Sequence, residues 1–342
     1  MRCLKRKTLK IRLKIVFGEP GMSDGLVEIK KRNYIPGLAL FRFKPRIDWS
    51  VKQAKRLYEK NPPMNIQWDT IHYRDCIDGM KQLPSKCIDQ IIADPPFGIK
   101  FTGKEQMYNR VERNVIDGYV EVPQEEYNNF TNAWIKELPR IMKDTATAYI
   151  FSGWTNLELV LAAARKAGLF LINHIIWKYQ FGVFTKKKFV TSHYHLLLFA
   201  KDENNYFFNK VIHYPQDVWD IKREYHQKKE KNGTKLPTEL IQKCLDFGSK
   251  PGDLILDPFM GNGTTAEASK ANFRHYIGFE INPKIKKVIN QNISDIEVGQ
   301  DYQPYKERAI SWLQENIDWL SKKYRQAYKI WSKEQKENNI NE

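Results

Sequence analysis

The run Ile91-Ile92-Ala93-Asp94-Pro95-Pro96-Phe97-Gly98 carries an apolar segment straight into a carboxylate, two prolines and an aromatic ring. Apolar residues of this kind read as a buried parallel strand, which places Asp94 at its carboxyl end, where open α/β sheets put their chemistry. The prolines fix φ and remove backbone donors, so the turn is rigid and its carbonyls point outward. Asp94 and the Pro95 carbonyl then offer two acceptors to an NH₂ group, and Phe97 is placed to lie against a flat ring. Such a turn is suited to holding an aromatic amine.

A second pattern lies far downstream. Leu254-Ile255-Leu256 reads as a strand entering Asp257-Pro258-Phe259-Met260-Gly261-Asn262-Gly263-Thr264-Thr265, after which a helix can start. Gly261 and Gly263 allow close backbone approach to a ligand. The next apolar strand, Tyr276-Ile277-Gly278-Phe279, ends in Glu280. An acid about 20 residues beyond a glycine turn is the usual partner of ribose hydroxyls. A lone Gly-x-Gly is also an ordinary tight turn; the acid-tipped strand and the earlier Asp-Pro-Pro-Phe turn together favour a nucleotide site.

In this order the two motifs resemble the amino-methyltransferases that move a methyl group from S-adenosylmethionine to an exocyclic nitrogen of DNA, in the β-class arrangement where the Asp-Pro-Pro-Phe turn precedes the Phe-x-Gly-x-Gly loop. The resemblance spans about Met64 to Asn292. It implies a Rossmann-like, doubly wound and mostly parallel sheet. It also implies catalytic roles for Asp94, Pro95, Pro96 and Phe97. Asp257, Phe259, Gly261 and Gly263 match the loop that encloses the methionine portion of the cofactor, with Thr264 beside it, and Glu280 matches the ribose acid. Asp75 and Cys76 match the turn beside the adenine ring, although Asp75 also reads as a helix cap. Lys235-Leu236-Pro237-Thr238 departs by one residue from the family's lysine-proline element, which leaves Lys235 a weaker candidate than Thr238.

The chemistry fits those residue types. An exocyclic amine is a poor nucleophile because its lone pair is delocalised into the ring. Two acceptors on its hydrogens favour a pyramidal nitrogen and stabilise the charge that develops during attack. The methyl group arrives already activated, so alignment supplies much of the rest. No thiol nucleophile is required. The amine lies inside a base pair, so the nucleotide must be flipped out, and Phe97 would stack on it. An acidic first residue leans toward adenine N6 over cytosine N4; an RNA base methyltransferase, or a DNA-binding module with a relic cofactor fold, are the more distant alternatives.

The elements that must position these residues follow from periodicity. Thr70–Tyr73, Ala146–Phe151, Leu169–Trp177 and Tyr194–Ala200 read as strands, Gln124–Lys143 as one amphipathic helix, and Asn156–Ala167 as another closed by Gly168. Domain boundaries are expected at 1–63 for a basic extension, 64–292 for the catalytic domain and 293–342 for a linker and long C-terminal helix. Residues 98–123 read as a loop over the site and 202–234 as a target-recognition insert. Within and near that insert, Lys186, Lys187, Lys188, Lys222, Arg223, Lys228 and Lys229 are candidate DNA contacts; Arg223 suits guanine and Asn232 adenine. The C-terminal stripe Ile310, Leu313, Ile317, Leu320, Tyr324, Ala327 and Trp331 reads as a seam, either of a homodimer or, preferably, packed on its own molecule.

Residues 1–56 hold 16 Lys/Arg and 4 Asp/Glu, so +12 of the formal net charge of +16 falls there. A basic arm on a nearly balanced core suits the phosphate backbone of double-stranded DNA. The alternative is a solvated extension or an upstream start artefact, since Met64 opens the stretch typical of the family. Four cysteines without CxxC spacing fit a reducing cytoplasm and no metal site; His193 and His195 lack acidic or cysteine partners. No apolar run reaches membrane-span length and no signal peptide is evident. A prokaryotic, nucleoid-associated enzyme, with a cognate restriction endonuclease as a candidate partner, is the expected setting.

Overall fold

The computed structural model describes residues 35–60, 66–98, 121–180, 182, 185–223 and 235–340. Most of the N-terminal extension, the 99–120 part of the expected active-site loop, and Lys228, Lys229 and Asn232 lie outside the described residues.

Helices α1 (Leu38–Phe41) and α2 (Val51–Glu59) precede strand β1 (Thr70–His72), helix α3 (Cys76–Gln82) and strand β2 (Ile88–Ala93). Helices α4 (Tyr127–Ile135) and α5 (Leu138–Ile141) lead into β3 (Met142–Ser152), followed by α6 (Leu157–Lys166), β4 (Phe170–Lys178), β5 (His193–Ala200) and β6 (Val218–Asp220). Then come α7 (Thr238–Gly248), β7 (Leu254–Asp257), α8 (Thr264–Ala271) and β8 (His275–Phe279). Helices α9 (Lys286–Ser294), α10 (Tyr305–Glu315), α11 (Ile317–Lys323) and α12 (Arg325–Ile340) complete the chain.

Among the described residues eight strands form one sheet in the order β1-β8-β7-β2-β3-β5-β4-β6. All neighbours pair in parallel except β3 with β5 and β4 with β5, so β5 alone runs in reverse. Alternation along the strands sorts the core onto two faces. Ile91, Ala148, Ile150 and Leu197 pack with Met80, Trp134, Leu138 and Val160 of α3 to α6. Ile92, Tyr149, Leu196 and Ile255 pack with Leu240, Ile241, Leu245 and Ala268 of α7 and α8. The expected doubly wound architecture is what the molecule has.

Three expectations change. The helix expected over 124–143 is two helices and the start of a strand. Pro139 has no N–H for the carbonyl four residues back, so α4 stops at Ile135, α5 is a single turn, and Met142 already begins β3. The long C-terminal helix is likewise α10, α11 and α12; at the first break Asn316 leaves helical geometry (φ −104°, ψ 5°) and the Trp312 carbonyl accepts from both its backbone N–H and its side-chain amide. The insert at 202–234 adds a strand: β6 joins the sheet beside β4, and Phe207 and Asn209 donate to the carbonyls of Thr145 and Phe247.

The C-terminal stripe packs on its own chain. Leu320 and Ala327 bury against Phe41 of α1, whose ring also meets Tyr328 and Trp331. Residues 48–58 are equally integrated. Asp48 accepts from the backbone N–H groups of Tyr305 (2.8 Å) and Lys306 (2.9 Å), capping α10. Tyr58 stacks on His275 at 4.2 Å, and His275 bridges the Tyr58 carbonyl and Asp69. Burial alone would lower the His275 pKa, but the Asp69 carboxylate outweighs it and raises the value.

Candidate active site

Parallel strands β2 and β7 are neighbours, with Ile91 opposite Leu256, so Asp94 and Asp257 emerge at the same edge of the sheet. From that pair the chain turns in opposite senses. β2 is flanked by β3 and β7 by β8, the strand each connects to next, and this reversal opens a crevice above the two strand ends. The Asp-Pro-Pro-Phe turn and the glycine loop, separated by more than 150 residues of sequence, thereby face one cleft.

The turn is held from behind. Gly98 has φ +65°, and its N–H donates to Glu121 at 2.9 Å. Asn156, buried at the N-terminus of α6, donates to the carbonyl of Phe97 at 2.7 Å. Phe97 is 5% exposed and packs edge-on to Tyr194 with centroids 5.3 Å apart, so its ring forms part of the wall. Tyr127 fills the space behind Gly98, and its hydroxyl pKa is pushed up to about 12, chiefly by burial, with help from Glu121 and Asp94. A Cβ on Gly98 would stand 2.3 Å from the Tyr127 ring and 2.8 Å from the Asn156 amide nitrogen. Gly98→Ala is therefore expected to cost about 1–3 kcal/mol of stability, read as a shift in denaturant midpoint, and to distort the turn. None of Glu121, Tyr127, Asn156 or Tyr194 is marked by a local sequence signal.

The glycine loop is pinned by two acids. Asp257 accepts from the Phe259 N–H at 2.9 Å, and Glu280 accepts from Gly261 (2.8 Å) and Asn282 (2.7 Å). Gly261 and Gly263 have φ of +52° and +88°, and Gly263 stands at the start of α8. A Cβ on Gly261 would meet nothing nearer than the Phe259 carbonyl at 3.7 Å, so it would project into open space. Phe259 lies between Phe130 and Trp134, and Thr264 and Thr265 are buried at the first turn of α8.

Burial raises the Asp257 pKa to about 7; the Thr265 and Phe259 hydrogen bonds pull it down, and the charges of Asp94 and Glu280 push it further up. Glu280 is also raised by burial, against its backbone hydrogen bonds. Asp94, Asp257 and Glu280 thus gather three carboxyl groups in one cleft. A cationic ligand is what such a cluster accommodates, and the open space at Gly261 leaves room for one. The buried Asn262 side-chain oxygen has no hydrogen-bond partner among the described residues and adds a further acceptor at the loop.

Asp75 caps α3, accepting from Ile77 (2.9 Å) and Asp78 (3.1 Å). Cys76 follows it, buried; burial, Asp75 and Asp257 all raise its thiol pKa, which places it beside the glycine loop and disfavours thiolate chemistry. Lys235 stands behind the glycine loop but is paired there, its ammonium 2.9 and 3.1 Å from the two oxygens of Glu267, whose N–H donates to the Gly263 carbonyl. Thr238 opens α7. Lys186, Lys187, Lys188 and Lys222 are exposed. Arg223 lies over the rings of Tyr179 (4.5 Å), Tyr194 (5.0 Å) and Trp177 (5.4 Å), joining the insert to the wall that carries Phe97. His195 hydrogen-bonds His174 at 2.7 Å, and no cluster fit for a metal occurs among the described residues. Among them, no helix is long and apolar enough to cross a membrane.

Comparison with known proteins agrees with this geometry. Residues 88–291 match the family model described as DNA methylase. The chain is 29% identical over 248 residues to Type II methyltransferase M.HinfI of Haemophilus influenzae, covering 67% of this chain and 69% of the relative. It is 29% identical over 265 residues to DNA adenine methyltransferase YhdJ of Escherichia coli K12, covering 68% and 84%. At the level of fold, PvuII DNA methyltransferase (cytosine-N4-specific) superposes with a TM-score of 0.51 at 15% identity, over 68% of this chain and 95% of that one. The putative DNA modification methylase TTHA0409 of Thermus thermophilus, complexed with S-adenosyl-L-methionine, gives 0.50 at 19% identity, over 66% and 93%. With a family model covering more than half of its length and the two motifs meeting in one crevice, the chain belongs to the DNA methylase family, the N6/N4 amino-methyltransferases.

Proposed function

We propose that the protein methylates the N6 amine of adenine within a specific sequence of double-stranded DNA. The observation that carries the reading is the convergence of Asp94, Asp257 and Glu280 at the ends of adjacent parallel strands. S-adenosyl-L-methionine, when bound, supplies a methyl group already activated on a sulfonium. Asp257, Phe259, Gly261, Gly263 and Thr264 enclose its methionine portion, Glu280 takes the ribose hydroxyls, and Asp75 and Cys76 border its adenine. Thr238 serves the methionine carboxylate better than Lys235, whose ammonium is paired with Glu267.

The substrate amine sits between the Asp94 carboxylate and the Pro95 carbonyl, each accepting one N–H. Pro95 and Pro96 keep that geometry rigid, and Phe97, steadied by Tyr194, backs the flipped base. The acidic first residue of the turn and the adenine activity in the name of the E. coli relative favour adenine. Cytosine N4 is the second reading, favoured by the fold shared with a cytosine-N4-specific enzyme. Nucleoside mass spectrometry of DNA from an expressing host is expected to show N6-methyladenine; N4-methylcytosine alone overturns the choice of base, and methylation of RNA but not duplex DNA overturns the substrate.

Residues 64–292 are the proposed catalytic domain, with 98–123 over the site and 202–234 as the recognition insert. Lys186, Lys187, Lys188, Lys222, Arg223, Lys228 and Lys229 serve the DNA, and the basic extension adds backbone attraction. A cytoplasmic, nucleoid-associated setting, a cognate restriction endonuclease and a homodimer belong to the same proposal. Exposed Trp312 and Trp319 on α10 and α11 are the surface that self-association would use.

A further inference from the structure

The loop joining β4 to β5 carries, beside the lysines already assigned to DNA, an aromatic ring that the reaction described above does not use. β4 runs in the same direction as β2, so the described residues of this loop, 179, 180, 182 and 185–192, rise from the sheet edge that bears Asp94. It lies two to three strands from β2, about 10–15 Å at the usual strand spacing. Its root is tied: the Tyr179 N–H donates to the Ser192 carbonyl at 3.0 Å, and a Cβ on Gly182 would fall 2.1 Å from the Thr191 carbonyl, so the two arms pass closely there. At the tip the Thr185 hydroxyl donates to the Lys188 carbonyl. Beyond that turn stands Phe189, 99% exposed, directly after three exposed lysines.

A phenylalanine left wholly in water forgoes the stabilisation that burial of such a side chain brings. It has nothing to offer a phosphate. Three adjacent lysines do, and they make a polyanion the complementary partner. An apolar ring presented among phosphate-binding cations is the arrangement of a wedge that enters between base steps. The root of the loop also meets the wall of the active site, where the Tyr179 ring packs 5.6 Å from Tyr194 of β5, whose ring in turn contacts Phe97.

We propose that Phe189 inserts into the duplex at the step vacated by the target nucleotide, while Lys186, Lys187 and Lys188 hold the flanking phosphates. The ring replaces the stacking lost when the base leaves, and so favours the flipped state. This rests on the reading of the protein as a duplex-DNA methyltransferase.

The test uses the full chain and two duplexes bearing the methylated site found by long-read sequencing of host DNA. They are identical except that one pairs the target base correctly and the other mispairs it. Phe189→Ala is expected to lose roughly 10- to 100-fold in kcat/KM on the paired duplex, the range of one aromatic stack, and to stay within about threefold of wild type on the mispaired one, where the base is already loose. Phe189→Trp should act on both nearly as wild type does, and cofactor affinity should be unchanged in both variants. Equal losses on the two duplexes would mean a simple groove or folding contact, and no loss on the paired duplex would mean an idle tip; either overturns the wedge. If the wild-type chain methylates neither duplex, the underlying enzyme reading fails and the wedge with it. A wild-type enzyme active on both, with Phe189→Ala indifferent to pairing, removes the wedge alone.

Discussion

Asp94→Ala is expected to slow methyl transfer by on the order of 10²–10³-fold while cofactor affinity stays within about threefold. As the amine nitrogen takes up the methyl group, positive charge grows on it and one N–H proton must leave toward the acceptor it is hydrogen-bonded to, the Asp94 carboxylate. The Asp94 carboxylate is the negative acceptor aimed at that nitrogen, and alanine removes it. Binding survives for a separate reason. Asp94 is one of the charges holding the Asp257 pKa up, so its removal lets Asp257 ionise more readily and offsets the lost attraction for the cation. Asp94→Asn keeps the shape and one acceptor but points an amide NH₂ at another NH₂, and should recover little. Single-turnover transfer of a labelled methyl group, set beside equilibrium dialysis of the cofactor, separates the two effects. A variant that fails to bind cofactor would remove Asp94 from the amine and return it to the cofactor pocket.

The second large effect is a pH dependence of cofactor affinity. With the Asp257 pKa at about 7, a substantial share of free protein carries that carboxyl protonated near neutrality. A cationic ligand favours the ionised form, so binding lowers the pKa and releases a proton. Affinity therefore climbs as pH rises toward 7 and levels off above it, by roughly tenfold between pH 6 and pH 8 if this one group dominates. Asp257→Asn should weaken binding and flatten the profile. Calorimetry near pH 6.5 in two buffers of different ionisation heat counts the released proton directly; a count of zero contradicts the assignment. The same shift has the opposite sign for stability. The folded pKa lies above the ordinary carboxylate value, so the contribution of Asp257 to stability falls as pH rises from about 4 to about 7.

How much of this was readable in the chain follows from distance. The Asp94 turn, the glycine loop and Glu280 each announce themselves within a dozen residues, because an apolar run followed by proline, glycine or an acid is a local signal. Topology rules then bring β2 and β7 together. Asn156 and Tyr127, which brace Gly98, sit on helices whose pattern gives no hint of where they point. Lys235 looked available for a ligand because nothing near it in sequence marks Glu267 as its partner. The split at Pro139 was readable from the proline alone, but apolar spacing continued across it and hid the break. β6 spans three residues, too few to show any period. The partner of the C-terminal stripe, Phe41, stands at the other end of the chain.

The cap that Asp48 places on α10 joins groups 257 residues apart in the chain. A ribosome adding about 5–20 residues per second needs roughly 15–50 s to cover that interval. Throughout that time Trp49, Ala54 and Tyr58 lack part of their final surroundings, because Tyr302 and Tyr305 have not yet been made. The β1–β8 sheet can close first, and the two ends of the polypeptide are fastened to each other last. Shortening either end should therefore loosen the opposite one, and a nascent chain stalled before residue 300 should hold residues 35–60 open to protease.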